Sequence, residues 1–309
     1  MKAPGLFARV YVEITNACNL RCPFCPGTAR PPAFMDPDLF GRVLREVAPL
    51  TEQVCLHVLG EPLLHPHFPD IMERCARAGV EVNLTTNGVL LDRHADLLLR
   101  APALRQVNFS LQALQTEGGF DREALERILG FCTEAAQRRP GLYVNLRLWT
   151  LDTQRDAMDD AFNAPVLDLV ARRLGIARPE APGGRKSLRL LGRIYLHADT
   201  VFDWPGDLHG HARTLGFCHA LSSHCAILAD GTVCPCCLDA DGRLALGSLR
   251  EAPLAEILGS PRARAMREGF ARGELVEEVC RHCAYCRRFE SRAQRLSAEY
   301  RANRKQRRP

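Results

Sequence analysis

The chain has 309 residues, 46% of them hydrophobic and 25% charged, enough to bury an enzyme-sized core and too apolar for a disordered segment. Its net charge of +5 is concentrated at one end: residues 287–309 hold nine Lys/Arg and two Glu, a local balance of +7 that leaves −2 for the rest. A general nucleic-acid-binding face is therefore not expected, and the basic stretch reads as a solvated terminal helix. No apolar run reaches the roughly 18 residues of a membrane span, and Arg9 and Glu13 interrupt the opening segment before it resembles a signal peptide. A cytoplasmic protein is expected.

In chain order, residues 10–14, 53–59, 80–85, 106–111, 142–149 and 193–197 are short β-rich runs. Between them, residues 36–47 open on an Asp-Pro helix start, 68–78 stop at Gly79, 93–100 precede Ala-Pro, and 121–138 are long and amphipathic. Six βα-type units predict a mostly parallel sheet with helices outside it. Residues 177–190, with Pro179, Pro182, Gly183 and Gly184, read as a linker. Beyond it, Asp230-Gly231 between two apolar runs predicts a hairpin whose second strand leads into Cys234, Cys236 and Cys237; residues 254–258 and 261–270 are helical.

Fourteen cysteines are too many for a reducing compartment unless most of them bind metal. Cys55, Cys75 and Cys132 stand alone in apolar patterns and read as small core residues. The others form two sets. Cys18, Cys22 and Cys25 follow the first strand, at the carboxyl end of a parallel sheet, where such sheets bind ligands. Three thiolates four and three residues apart suit an iron–sulfur cluster with one open iron, although a zinc site completed by His57, His65 or Cys55 uses similar donors. His57, His65 and His67 read as histidines bonded to backbone or solvent.

The Cys18, Cys22, Cys25 spacing, with Phe24 before the last cysteine, resembles the signature of radical S-adenosylmethionine (radical SAM) enzymes. Gly60-Glu61-Pro62, Thr85-Thr86-Asn87-Gly88 and Ser110-Leu111-Gln112 follow later strands in the order that family has. The resemblance implies a partial (β/α)6 TIM-like barrel over residues 1–200. It implies a 4Fe-4S cluster on Cys18, Cys22 and Cys25 that binds S-adenosylmethionine, and a 5′-deoxyadenosyl radical that abstracts hydrogen from substrate. Phe24, Gly60, Glu61, Asn87, Ser110, Gln112 and Arg147 are the implied cofactor-binding residues. Glu61 would receive the methionyl ammonium or, alternatively, start a helix before Pro62. Ser110 and Gln112 would share a strand face toward the ribose, although many relatives carry an acidic residue where Gln112 stands. Arg147, on a face with Asn145, would pair with the methionyl carboxylate or with an acid inside the barrel.

The cysteines after residue 217 resemble the SPASM type of iron–sulfur extension and its shorter twitch relative, over residues 201–290, with a basic tail at 291–309. Cys218, Gly231 and Cys236 fit the opening of that pattern and Cys280 with Cys283 its later half, but no cysteine follows Cys286. One auxiliary 4Fe-4S cluster is expected, with ligands from Cys218 or Cys225, Cys236 or Cys237, and Cys280 with Cys283; two clusters, or a zinc ribbon, are the alternatives. Asp239 reads as a turn residue or a base beside that cluster. An oxidoreductase acting on a peptide or protein side chain, served by an electron donor such as flavodoxin or ferredoxin, is the first expectation. A small-molecule dehydrogenase or rearrangement enzyme, with Phe202, Asp203, Trp204 and Pro205 lining its pocket, is the second, and a non-catalytic electron-transfer protein the third.

Overall fold

The computed structural model describes residues 7–150, 162–180, 187–200, 204–205 and 212–289. Its elements are β1 (Arg9–Val12), α1 (Pro37–Val47), β2 (Gln53–Cys55), α2 (Phe68–Arg77), β3 (Glu81–Thr86), α3 (Leu91–Arg100), β4 (Leu104–Ser110) and a two-stranded flap of β5 (Gln115–Thr116) and β6 (Gly119–Phe120). After these come α4 (Arg122–Arg138), β7 (Tyr143–Thr150), α5 (Asn163–Leu174), β8 (Ser187–Leu191) and β9 (Ile194–Thr200). The last part of the chain forms β10 (His224–Ile227), β11 (Thr232–Cys234), β12 (Gly247–Ser248), α6 (Leu254–Leu258), α7 (Pro261–Arg272) and α8 (Glu278–His282).

The fold is a mixed α/β architecture around one ten-stranded sheet, in the order β12-β11-β10-β1-β2-β3-β4-β7-β9-β8. From β10 to β9 every neighbouring pair is parallel, so the six expected strands lie side by side in sequence order. The sheet is not closed into a barrel among the described residues, because antiparallel strands occupy both ends of the order.

Alternation along the strands gives the sheet two unlike faces. Val10 and Val12, Val82 and Leu84, and Val144, Leu146 and Leu148 are buried in the main core with apolar residues of α1 to α5. The opposite face is polar: Asn83 donates to Gln53 at 3.0 Å, Gln106 and Asn145 both donate to Asn108, and Asn108 donates to the Thr85 hydroxyl at 3.1 Å. These side chains satisfy one another, as buried polar groups must, and Thr85 at the carboxyl end of the face borders a cavity.

Local chemistry fixes the helix ends. Asp36 accepts from the Leu39 amide at 2.7 Å and Asp121 from Ala124 at 2.9 Å, while α5 and α7 end on Gly175 and Gly273 in the left-handed conformation.

Two expectations are corrected. Residues 187–191 of the expected linker form β8, which pairs antiparallel with β9; the alternation there is that of an edge strand and was masked by its glycine- and proline-rich neighbours. The fourth strand ends at Ser110, and Leu111–Leu114 form a turn of 3-10 helix, so Ser110 and Gln112 do not share a strand face.

The cysteine-rich segment is continuous with the sheet. Residues Arg9 to Val12 pair in parallel with His224 to Ile227, which places β1 in the interior of the sheet rather than at its edge. The hairpin from β10 to β11 turns at Asp230 and Gly231, whose φ of +96° suits glycine. Among the described residues no helix is long and apolar enough to cross a membrane. Residues 290–309, which hold most of the basic tail, and Phe202 with Asp203 lie outside the described residues.

Candidate functional site

One cavity of about 1180 Å³ lies over the polar face of the sheet, and both cysteine sets open onto it. Cys18, Cys22 and Cys25 stand on a loop that starts where β1 ends. Its neck is pinned shut: the Thr15 hydroxyl donates to Ala33 at 2.8 Å, the Asn16 amide donates to Pro31 at 2.9 Å, and Asn16 accepts from the Ala33 N–H at 2.7 Å. Between these ties the chain curls, with the Cys25 N–H donating to the Cys22 carbonyl at 3.0 Å. All three thiols are unpaired. Burial, and then Cys18 and Cys25, push the Cys22 thiol up to about 11; Cys18 is also raised, by burial first and then by Glu61 and Cys25. Thiols that oppose one another's ionisation in this way become stable thiolates only against a cationic centre, so the donor set fits an iron cluster.

Gly60 and Glu61 pack beneath that loop. Gly60 has φ +77°, and a Cβ there would fall 2.3 Å from the Thr15 carbonyl oxygen, so no other residue fits. The Glu61 N–H donates to Ala17 at 2.8 Å. Its carboxylate is 1% exposed and accepts from Leu63 N–H at 3.0 Å, the Thr86 hydroxyl at 2.7 Å and Asn87 N–H at 2.8 Å. Glu61 is therefore the cap of the 3-10 turn Pro62–Leu64, with one of about four acceptor positions left over. Burial raises its pKa against those three donors. Asn87 donates to Asn19 at 2.9 Å, which ties the end of β3 to the first cysteine set.

Ser110, Gln112 and Arg147 also line the cavity. Gln112 is 3% exposed and its Oε1 has no partner, leaving a buried acceptor at the cavity wall. The Arg147 guanidinium lies over the Trp149 ring at 5.1 Å, and Trp149 meets Phe24 edge-on at 6.2 Å, so the first cysteine loop reaches across to β7 through two aromatic rings. Burial lowers the Arg147 pKa.

The second set divides. Cys218, Cys236, Cys237, Cys280, Cys283 and Cys286 line the cavity. Cys225 does not: it is 0% exposed in the main core, on the face of β10 that continues Val10 of β1. Cys234 is likewise buried, against Asp239. Burial, followed by Cys283 and Cys286, pushes Cys218 up to about 11, and Cys236 is raised by burial and by Cys237, Cys218 and Cys280. Cys218, Cys236, Cys280 and Cys283 are thus within electrostatic reach of one another. Among the described residues no three His, Cys, Asp or Glu side chains converge on a position for a single metal ion.

Four further residues were not singled out in sequence as site residues. Tyr11, Trp149, Asp199 and Tyr285 line the cavity; the first three lie on strands, where only the inward face could have shown it, and Tyr285 lies on the 3-10 helix Ala284–Phe289. His57 also lines it, with Nδ1 unpartnered and Nε2 3.3 Å from the Thr85 hydroxyl, whereas His65 is satisfied by the Met35 carbonyl at 2.9 Å and the His67 N–H at 3.1 Å. Asp239 accepts from the Arg243 and Leu244 amides at 2.9 and 2.8 Å, the geometry of a turn cap. Trp204 and Pro205 reach the cavity wall.

The radical SAM superfamily model matches residues 12–146, and the SPASM model, described as an iron–sulfur cluster-binding domain, matches residues 218–284. The chain thus carries a radical SAM domain and a SPASM domain. These domains imply a 4Fe-4S cluster with S-adenosylmethionine in the first, and auxiliary iron–sulfur binding in the second. Among curated proteins, the chain is 39% identical over 113 residues to a GTP 3′,8-cyclase of Chlorobaculum tepidum, and 27% identical over 151 residues to a tungsten-containing aldehyde ferredoxin oxidoreductase cofactor-modifying protein of Pyrococcus furiosus. Those matches cover 35% and 44% of this chain and only 34% and 42% of the relatives. Solved structures align over most of the chain. BtrN in complex with AdoMet and 2-DOIA aligns with TM-score 0.56 at 18% identity, over 91% of this chain and 94% of that one. SuiB of Streptococcus suis bound to precursor peptide SuiA aligns with TM-score 0.60 at 13% identity, over 93% and 74%.

Proposed function

We propose that Cys18, Cys22 and Cys25 hold the S-adenosylmethionine-binding 4Fe-4S cluster of a hydrogen-abstracting enzyme, and that Cys218, Cys236, Cys280 and Cys283 hold one auxiliary 4Fe-4S cluster across the same cavity. The observation that carries this reading is the shared cavity: two sets of thiols from distant parts of the chain face one space at the carboxyl ends of parallel strands. When bound, the cofactors supply a 5′-deoxyadenosyl radical and a nearby electron acceptor. The chain's own residues do the rest. Glu61 offers its remaining acceptor position, and the backbone around Gly60 the neighbouring carbonyls, to the methionyl ammonium. Ser110 and Gln112 face the ribose, the unpartnered Gln112 Oε1 accepting from a hydroxyl. Arg147, held over Trp149, receives the carboxylate. Phe24 and Trp149 keep water from that side of the cavity.

The substrate in this reading is a peptide or protein side chain, as in the SuiB complex with its precursor peptide, and electrons come from a flavodoxin or ferredoxin. A small-molecule dehydrogenase is the second reading, favoured by near-complete mutual coverage with BtrN, solved with AdoMet and 2-DOIA. The residue ranges 1–200, 201–290 and 291–309 serve as core, auxiliary-cluster segment and tail.

The test is anaerobic reconstitution followed by reduction with S-adenosylmethionine. The expected result is about eight irons per chain, corresponding to two four-iron clusters, and 5′-deoxyadenosine that a Cys22→Ala variant does not form. No 5′-deoxyadenosine above that control would overturn the catalytic reading. About four irons, all lost in the Cys18/Cys22/Cys25 triple alanine variant, would overturn the auxiliary cluster.

A further inference from the structure

The loop that carries the first cysteine set does not hang free over the sheet. Just past Cys25 it is fastened to the turn that carries Cys236 and Cys237. The Thr28 hydroxyl donates to Asp241 Oδ1 at 2.6 Å, and the Ala29 N–H donates to the same oxygen at 3.1 Å. Arg30 donates through Nε to the Ala240 carbonyl at 2.7 Å and through Nη2 to both oxygens of Glu13, each at 2.7 Å. Glu13 is 0% exposed, and it also accepts from the Leu59 N–H at 3.3 Å and the Ala229 N–H at 3.1 Å. Its four contacts therefore reach the residue before Gly60, the turn after β10 and the cysteine loop itself.

A fully buried carboxylate is expensive to keep, and a well-attested use of one is to specify an arrangement rather than to add stability. Here the arrangement specified is the relative position of the first thiol loop and the turn that carries Cys236 and Cys237, since Thr28 and Asp241 are separated by 213 positions. The pinned neck at Thr15 and Asn16 fixes where the loop begins and ends, and the Asp241 and Arg30 contacts fix how residues 28–30 lie against the other set.

We propose that Glu13, Arg30 and Asp241 form a strap that locks the first cluster loop onto the second cluster turn, and that these three act as positioning residues for both clusters. The inference rests on the two-cluster reading above. Loosening the strap frees Cys25 and Cys236 together, because each lies within five residues of an anchor.

The experiment measures iron release to a ferrous chelator under anaerobic conditions, in two backgrounds that each retain a single cluster: Cys236→Ala for the first and the Cys18/Cys22/Cys25 triple alanine variant for the second. Asp241→Ala is expected to speed release at least about fivefold in both backgrounds, the scale of a modest coupling between sites. Asp241→Asn, whose carbonyl oxygen can accept the same two hydrogen bonds, is expected to restore the original rates. Thermal unfolding of the metal-free chain is expected to stay unchanged in Asp241→Ala, because Asp241 is exposed. A second variant, Glu13→Gln with Arg30→Met, removes the buried charges together and is expected to give the same acceleration. Arg250→Ala, which breaks the exposed pair with Asp36, serves as the control and is expected to change neither rate. Acceleration confined to one background, or absent from both, overturns the strap. Absence of iron from the triple alanine background or from the Cys236→Ala background overturns the two-cluster reading and this inference with it.

Discussion

His57 shows at the scale of one residue what the polar interior demands. Its ring sits edge-on to Tyr11 at 5.6 Å, with Nδ1 unpartnered. Burial first, then Arg147 and Arg9, pushes its pKa down to about 3, so the folded chain carries it neutral. The unfolded chain binds the proton below about 6.5, and the folded chain does not, so stability is full above that pH and declines as pH falls toward about 3. The expected slope from this one group approaches about 1.4 kcal/mol per pH unit. Urea titrations of the metal-free protein between those limits should show a shallower slope for His57→Gln; an identical slope would mean that the histidine is protonated inside the fold. Glu61 illustrates a different economy at the same scale. One side chain caps the turn Pro62–Leu64, ties it to β3 through Thr86 and Asn87, and still leaves an acceptor position toward the cavity.

Among the elements, β1 has the largest structural consequences. It is the first strand in sequence, yet it lies between β2 and β10, so the cysteine-rich part of the chain completes the sheet around it. Val10 and Val12 share the core with Cys225 and Ile227 of β10 and with Leu254, Met266 and Phe270 of the later helices. A chain truncated after Thr200 would leave β1 as an unpaired apolar edge. Such a fragment is expected to lose cooperative unfolding and near-UV circular dichroism, whereas the full chain should unfold in a single transition in its metal-free form. A fragment with a sharp transition of its own would show that the first part folds without β10. The edges that do exist are handled differently: β8 keeps alternating exposure, and β12 has only two residues.

For the whole molecule, the sheet's two faces assign the cysteines to separate tasks. Residues on the helix-facing side become core, which is where Cys75, Cys132 and Cys225 lie at 0% exposure, whereas Cys55 is buried on the opposite face beside Asn83. Residues facing the cavity remain accessible to metal. Cys218→Ala is therefore expected to cost about four of roughly eight irons per chain, while Cys225→Ala keeps all of them and loses only about 1–2 kcal/mol of stability from the core void. Iron quantification paired with urea unfolding checks both, and iron loss in Cys225→Ala would contradict its place on the core face.

The sequence alone determined the order of strands and helices, the βα periodicity and the grouping of cysteines, because these depend on local spacing. Asp36 at a helix start, residues 121–138 as a helix, Asp230-Gly231 as a hairpin turn and the lone cysteines as buried residues were legible for the same reason. The spacing of Cys18, Cys22 and Cys25 also carried the family, since one loop contains all three. What only tertiary structure decided are relations between distant segments. Cys218 and Cys225 are alike in sequence, and their difference arises because β10 pairs with β1 in one register that turns Cys225 toward the core. The Glu13–Arg30 pair and the anchoring of residues 28 and 29 on Asp241 depend on that same pairing. The first cysteine set could thus be read as a metal site from its loop alone, but its facing of the second set across one cavity follows from the parallel pairing of β1 with β10, which no local pattern encodes.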